Sequence, residues 1–287
     1  MNDLTIRSLS SQESRVVLSL AELKTREASR KTIIDILGVS PKAADHVIRS
    51  LRRKGWLERG SWGRYLLIPA EQGPEAAGES NVLALASLIA DPYYIGYGTA
   101  AAHYGFTTQR RNIIWLVTPQ RLRDRKLLNA EVHIVNVTSR KFFGFGPVDV
   151  LGHEVNLSDR AKTAIDCVDR PDLCGGLVEA AYIFGRASSK VDWDRISGHL
   201  LLMNSIALTR KVGWLADHVG ASVPDYVRAD LLARTGKHST KATFGRKTPR
   251  PNALGYQSEW KLTVNASVEE LAESKGIARR HIVKKEP

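Results

Sequence analysis

The chain has 287 residues, 43% of them hydrophobic and 25% charged, ordinary values for a soluble globular protein and enough chain for two domains. No stretch approaches the ~20 consecutive apolar residues of a membrane span, the N-terminus lacks the apolar core of a signal peptide, and two cysteines, Cys167 and Cys174, do not make a secreted disulfide scaffold, so a cytoplasmic location is expected. The net charge of +12 favours a partner of dense negative charge, of which nucleic acid is the commonest.

Residues 1–69 hold thirteen Lys/Arg against seven Asp/Glu, so half of the charge surplus sits in the first quarter of the chain. In SQESRVVLSLAEL, Val16, Val17, Leu20 and Leu23 recur at near-helical spacing and predict a first helix. Ser29 caps a short second helix, RKTIIDIL, and Gly38 suits its left-handed stop. Ser40 caps a third helix with Pro41 at its first position, where a missing N–H costs nothing; Ala44, Ile48 and Leu51 share one face and Gly55 ends it. Trp56–Arg59 and Tyr65–Ile68 read as two strands joined by Gly60, Ser61, Trp62 and Gly63. Three helices followed by a hairpin is the order of a winged helix-turn-helix, expected over residues 1–70.

EQGPEAAGES, residues 71–80, has no apolar periodicity and reads as a linker. From 81 to 287 an α+β domain is expected. NVLALASLIA is a helix; YYIGY, NIIWLVTP, EVHIVNVT and VDVLGHEVNL are strands; five helices follow over Asp159–Val168, Gly176–Arg186, Asp192–Met203, Ser205–Val219 and Pro224–Arg234. EWKLTVN is expected to return to the main sheet as a last strand, ahead of a charged tail ending in KKEP.

Burying Ala44, Ile48 and Leu51 turns Lys42, Asp45, His46 and Arg49 outward near the start of the third helix, where recognition helices meet base edges. Arg49 has the fork for guanine O6 and N7, Asp45 can accept from cytosine N4, and Lys42 and His46 can reach base or backbone. Arg52, Arg53 and Lys54 lie further along and suit phosphates, and Arg59, Trp62 and Arg64 flank the tip of the wing-like hairpin. A second basic stretch, Leu231 to Ser258, carries Arg234, Lys237, Lys241, Arg246, Lys247 and Arg250 and no acid.

Catalytic and metal patterns are missing. Cys167 and Cys174 are seven apart with no zinc-type pairing and read as buried thiols; His103 has no nameable partner; FGFGPVDV lacks both the GxGxxG spacing and a Walker lysine. Asp149, Glu154 and Lys162 lack the acid-x-Lys step of a metal-dependent nuclease. No metal, no cofactor and no catalytic residue is expected. In SDRAKTAIDCVDRPDLCGG, residues 158–176, Ser158 is the expected cap of a helix with Asp159 at its positive end, and Pro171 with Gly175 and Gly176 breaks that helix from the next.

KTAIDCVDRPDLCGGLVEAA, residues 162–181, resembles the signature of AbiEi-type antitoxins of abortive-infection toxin–antitoxin systems: a helix ending in Asp, a Pro turn and a Gly-Gly pair. YYIGYGTAAAHYGFTTQ is similar to that family's aromatic strand, small-residue helix and His-x-Gly turn, and EWKLTVN to its last strand; the likeness covers about Pro92 to Asn265. The resemblance implies a bacterial antitoxin, not an enzyme. It would bind inverted repeats in its own promoter as pairs of copies and repress the operon. It would also counteract a nucleotidyltransferase-like toxin, with no need for a stable complex. A C-terminal domain that carries antitoxin activity and assists DNA binding would give the 231–258 stretch a purpose. The competing expectations are a winged-helix-targeted metal-dependent nuclease or nucleotide-transfer enzyme, and a regulator whose second domain binds a small molecule.

Overall fold

The computed structural model describes residues 8–272, apart from 24, 61–62, 69, 71–79, 110–111, 128–129, 151–152, 237, 240, 246–247 and 249. The expected linker, save its last residue, and the charged tail therefore lie outside the described residues. The chain forms two compact units: the described residues through Tyr93 with Asp124–Val132 and Pro147–Asn156, and a second made of Tyr94–Arg123, His133–Gly146 and the residues from Leu157 onward.

In the first unit, α1 (Ser11–Glu22) starts with a capping box. Glu13 N donates to Ser10 Oγ, and Ser10 N donates at 2.6 Å to the Glu13 carboxylate. Val16 and Leu20 are buried, but Leu23, expected on the same face, is 63% exposed because the helix ends one residue before it. Ser29 and Ser40 cap α2 (Arg30–Leu37) and α3 (Pro41–Arg53), and Gly38 takes the left-handed φ of 65° that lets the chain turn between them. The apolar stripe of α3 is Ala44, Val47, Ile48 and Leu51, packed with Val16, Leu20, Ile33, Trp56 and Leu57 in one core.

Strands β2 (Leu57–Arg59) and β3 (Arg64–Leu67) form the expected hairpin. A third strand, β1 (Glu27–Ser29), pairs antiparallel with the free edge of β3, Ala28 opposite Tyr65. Its three residues carry no readable periodicity. Helix α4 (Ser80–Ser87) is apolar and buried along most of its length: Ala84 and Leu85, with Leu88 just beyond, pack on Leu66 and Ile68.

The strands between 94 and 158 join one mixed sheet in the order β6-β7-β5-β4-β9-β8: β4 (Tyr94–Ile95), β5 (Ile113–Thr118), β6 (Arg125–Leu127), β7 (Ala130–Asn136), β8 (Phe145–Val150) and β9 (His153–Ser158). YYIGY supplies only β4, because Tyr97 turns to φ 52° and opens the small-residue helix α5 (Tyr97–His103). VDVLGHEVNL, expected as one strand, is divided between β8 and β9.

The second unit combines strands with a run of helices, so its class is mixed α and β. Helix α6 (Arg160–Asp169) is its axis; every residue from Ala161 to Val168 is buried. Its cap is Asp159, whose carboxylate accepts from Lys162 N at 2.8 Å, and not Ser158, which is still in β9 and pairs its hydroxyl with Thr163 at 2.7 Å. Around α6 pack α7 (Leu177–Ser188), α8 (Trp193–Met203), α9 (Ile206–Val219) and α10 (Asp225–Gly236). Asp192 caps α8 and Ser205 caps α9, so each helix starts one residue inside its expected boundary.

EWKLTVN does not return to the main sheet. Strand β12 (Leu262–Asn265) lies at the centre of a separate small sheet, parallel to β10 (Ala242–Gly245) and antiparallel to β11 (Gly255–Gln257). Its alternation buries Leu262 and Val264, which join Phe244 and Trp260 against α9. Gly213 of α9 makes this seat: a Cβ there would come within 2.2 Å of the Trp260 ring, whose N–H donates to Asp217 at 2.8 Å.

Candidate nucleic-acid interface

The face of α3 opposite its buried stripe presents Lys42, His46, Arg49, Arg52 and Arg53, all exposed. Lys42, Arg52 and Arg53 have no carboxylate at ion-pair distance among the described residues. Arg49 only bends back so that its Nε donates to the Asp45 carbonyl at 3.3 Å. Arg59, on β2, is also exposed. Cations with no carboxylate at ion-pair distance keep most of their attraction for phosphates, although Arg52 acts at longer range on Glu58 and Arg49 on Asp45.

Three of the expected contact residues are otherwise engaged. Asp45 is gripped by both arms of Arg30, each at 2.7 Å, and this pairing holds its carboxyl below the usual carboxylate range. The grip ties the start of α2 to α3, and a cytosine N4 would have to compete with Arg30 for the Asp45 carboxylate. Lys54 reaches Glu13 at 2.7 Å, so its charge is spent inside the unit. Arg64 donates to the Leu88 carbonyl at 3.2 Å and faces Glu27 at 3.6 Å, bracing the hairpin on the chain that follows α4. Trp62 lies outside the described residues. Arg30 itself was not anticipated: its partner is fifteen residues on, a separation that follows no helical or strand period.

Partial burial pushes the Glu13 carboxyl up, but hydrogen bonds from Lys54 and the Ser10 N–H outweigh it and bring it from an ordinary 4.5 down to about 2. A carboxyl held below its unfolded value stabilises the fold above that value and loses the contribution as pH falls through the folded one. Glu13→Gln is therefore expected to cost on the order of 1–2 kcal/mol at pH 7 and progressively less between pH 4.5 and 2. Thermal unfolding of both proteins across that range measures it.

The second basic stretch is less available. Arg234 is bound to Asp230 and Ser197, and Arg250 to Glu270; Lys241 is exposed; Lys237, Arg246 and Lys247 lie outside the described residues.

The second unit has a polar centre of another kind. Lys162, 1% exposed, sets its ammonium 2.5 and 2.6 Å from the two Asp166 oxygens and 3.2 Å from the Tyr94 hydroxyl. The ring of Phe143 lies 5.0 Å from the same ammonium, and Phe142 and Phe145 pack on Tyr94 at 5.5 and 5.0 Å. Burial pushes the Asp166 carboxyl up against the pull of Lys162. The i,i+4 spacing in KTAID was the signal for this pair. Beside it, Asp159 accepts from Arg195 at 2.8 Å and shares 2.9 Å with His199. Burial raises its carboxyl, but bonds from His199, the Lys162 N–H and Arg195 prevail and lower it to about 2. Asp149 and Glu154 are exposed, whereas Lys162 is consumed by Asp166. Cys167 and Cys174 are buried free thiols. Among the described residues no group of three His, Cys, Asp or Glu is placed to hold a metal, and no helix is long and apolar enough to cross a membrane.

The fold is mixed α and β, and it has a structural relative. The chain is similar to the crystal structure of the RV2827C protein from Mycobacterium tuberculosis, with a TM-score of 0.64 and 19% identity over 98% of this chain and 97% of that one. At that identity the likeness concerns the fold alone. No family model and no curated protein matches the sequence.

Proposed function

We propose that the first unit is a winged helix-turn-helix that binds double-stranded DNA, and that the chain is an AbiEi-type antitoxin that represses its own operon through inverted repeats and counteracts a nucleotidyltransferase-like toxin. The observation that carries the DNA reading is the exposed, uncompensated cation row on α3, set opposite a fully buried apolar stripe. Lys42, His46 and Arg49 are the base readers in this proposal; Arg52, Arg53 and Arg59 take phosphates. Asp45, Lys54 and Arg64 are removed from the contact set and become bracing residues. The antitoxin part rests on the resemblance of residues 92–265, and binding as pairs of copies on two half-sites follows from it.

Fluorescence anisotropy with the duplex upstream of the protein's own gene, beside a scrambled duplex of equal length, tests the DNA reading. Tighter binding to the upstream duplex is expected, with log K falling steeply against log salt at about −0.9 per phosphate contacted. Equal affinity for the two duplexes removes the operator, and no binding to either at low salt removes DNA altogether.

A further inference from the structure

We propose that the second unit carries a binding site for a small organic anion with an apolar body, in the cavity between the first turn of α7, the end of β10 and the middle of α9. This inference does not rest on the DNA reading and survives its failure.

The cavity is about 650 Å³, within the usual range for sites that enclose a small molecule. Leu177, Val178 and Phe244 give it an apolar wall. Its carboxylates are each provided for. Asp169 has Lys141 at 2.9 Å, Asp172 has both arms of Arg170 at 3.0 and 2.7 Å, and Glu270 has Arg250. That pairing leaves Lys211, on α9. Its ammonium has no hydrogen-bond acceptor and no carboxylate at ion-pair distance among the described residues; it lies 5.9 Å from the centre of the Phe244 ring. Half-burial pushes its pKa down against a weaker pull from the Asp169 carboxylate, which is itself held by Lys141.

The far wall has the same polarity. Gly176 at the N-cap of α7 has φ 101° and no side chain, so no cap accepts from the first-turn N–H groups. Among the described residues Lys211 is the lining cation without an ion pair, and together with a bare helix start on a half-apolar cavity it suits a ligand with an anionic group and a hydrocarbon remainder.

The probe is 2-naphthoate, with 2-naphthamide as its neutral isostere, titrated into the full chain and followed by saturation-transfer NMR. Saturable binding of the carboxylate is expected, at least roughly tenfold tighter than that of the amide. Lys211→Met should bring the two affinities together. Val178→Trp, at a position 37% exposed and therefore tolerant of bulk, should block both while leaving the melting temperature in place. The idea is overturned by equal affinities in the native chain, by an unchanged preference in Lys211→Met, by undiminished binding in Val178→Trp, or by no saturation up to ~10 mM.

Discussion

Lys162→Met is expected to destabilise the protein by about 3–5 kcal/mol, the range for breaking a buried ion pair from one side. Methionine fills the volume of the lysine stem, so the loss is electrostatic. What remains is the Asp166 carboxyl at 2% exposure, with the Tyr94 hydroxyl at 3.4 Å as its surviving side-chain partner. For a unit of this size that corresponds to a drop of roughly 8–15 °C in its calorimetric transition.

The variant should also acquire a pH dependence of definite sign. With the ammonium gone, burial and the nearby Asp169 charge outweigh the more distant Lys141 and hold the proton on Asp166, so its folded pKa stays above the unfolded 3.8. A carboxyl raised in this way weakens the fold as pH climbs, so the deficit is larger at pH 8 than at pH 5. The double substitution Lys162→Met with Asp166→Leu removes the orphaned charge and should recover much of the loss. A single-variant deficit under 1 kcal/mol, or one that shrinks with rising pH, would show that the pair is not what holds the centre of the unit.

The second large effect concerns DNA. Replacing Lys42, Arg49, Arg52 and Arg53 together with alanine is expected to weaken binding to the upstream duplex about a thousandfold, on the order of 1 kcal/mol per contact, and to flatten the salt slope by up to ~4. All four side chains are exposed, so the melting temperature should hardly move.

The single variants divide the labour. Arg49→Ala should cost about 1–3 kcal/mol on the upstream duplex and relax preference at one base position, whereas Arg53→Ala should weaken all duplexes alike. Lys54→Ala is the contrast: it should destabilise the fold by stranding Glu13 and leave the salt slope alone, because its charge already has a partner. Equal losses on upstream and random DNA for Arg49 and Arg53 would refute the split between reading and anchoring.

Local physics made much of this architecture legible. Ser29, Ser40 and Pro41 announced helix starts and Gly38 a stop, because capping is settled by neighbours within one turn. The stripe of Ala44, Ile48 and Leu51 followed from the helical period and is the face that packs inward. What escaped was tertiary. Arg30 takes Asp45 across fifteen residues and Lys54 takes Glu13 across forty-one, and no periodicity encodes such partnerships. Two acceptor-bearing residues stood side by side at 158 and 159, and only the course of β9 decides which of them caps α6. The strand at 262–265 was readable as a strand, but its neighbours were not, since β10 ends in Gly245 and β11 begins with Gly255, a residue that weakens a strand pattern. For the site, the sequence located the cation row on α3; it could not say which charges were already answered from within.

Strand β12, last of its sheet to be synthesised, is also the one through which the other two are joined. On the ribosome β10 and β11 emerge with no backbone partner and must wait for Leu262–Asn265 to clear the exit tunnel, at roughly 5–20 residues per second. Until then Trp260 has no seat over Gly213 and the flank of α9 stays wet. The small sheet therefore closes only once β12 has been made, and a polypeptide halted ahead of Leu262 would leave β10 and β11 unpaired and the Gly213 face of α9 uncovered.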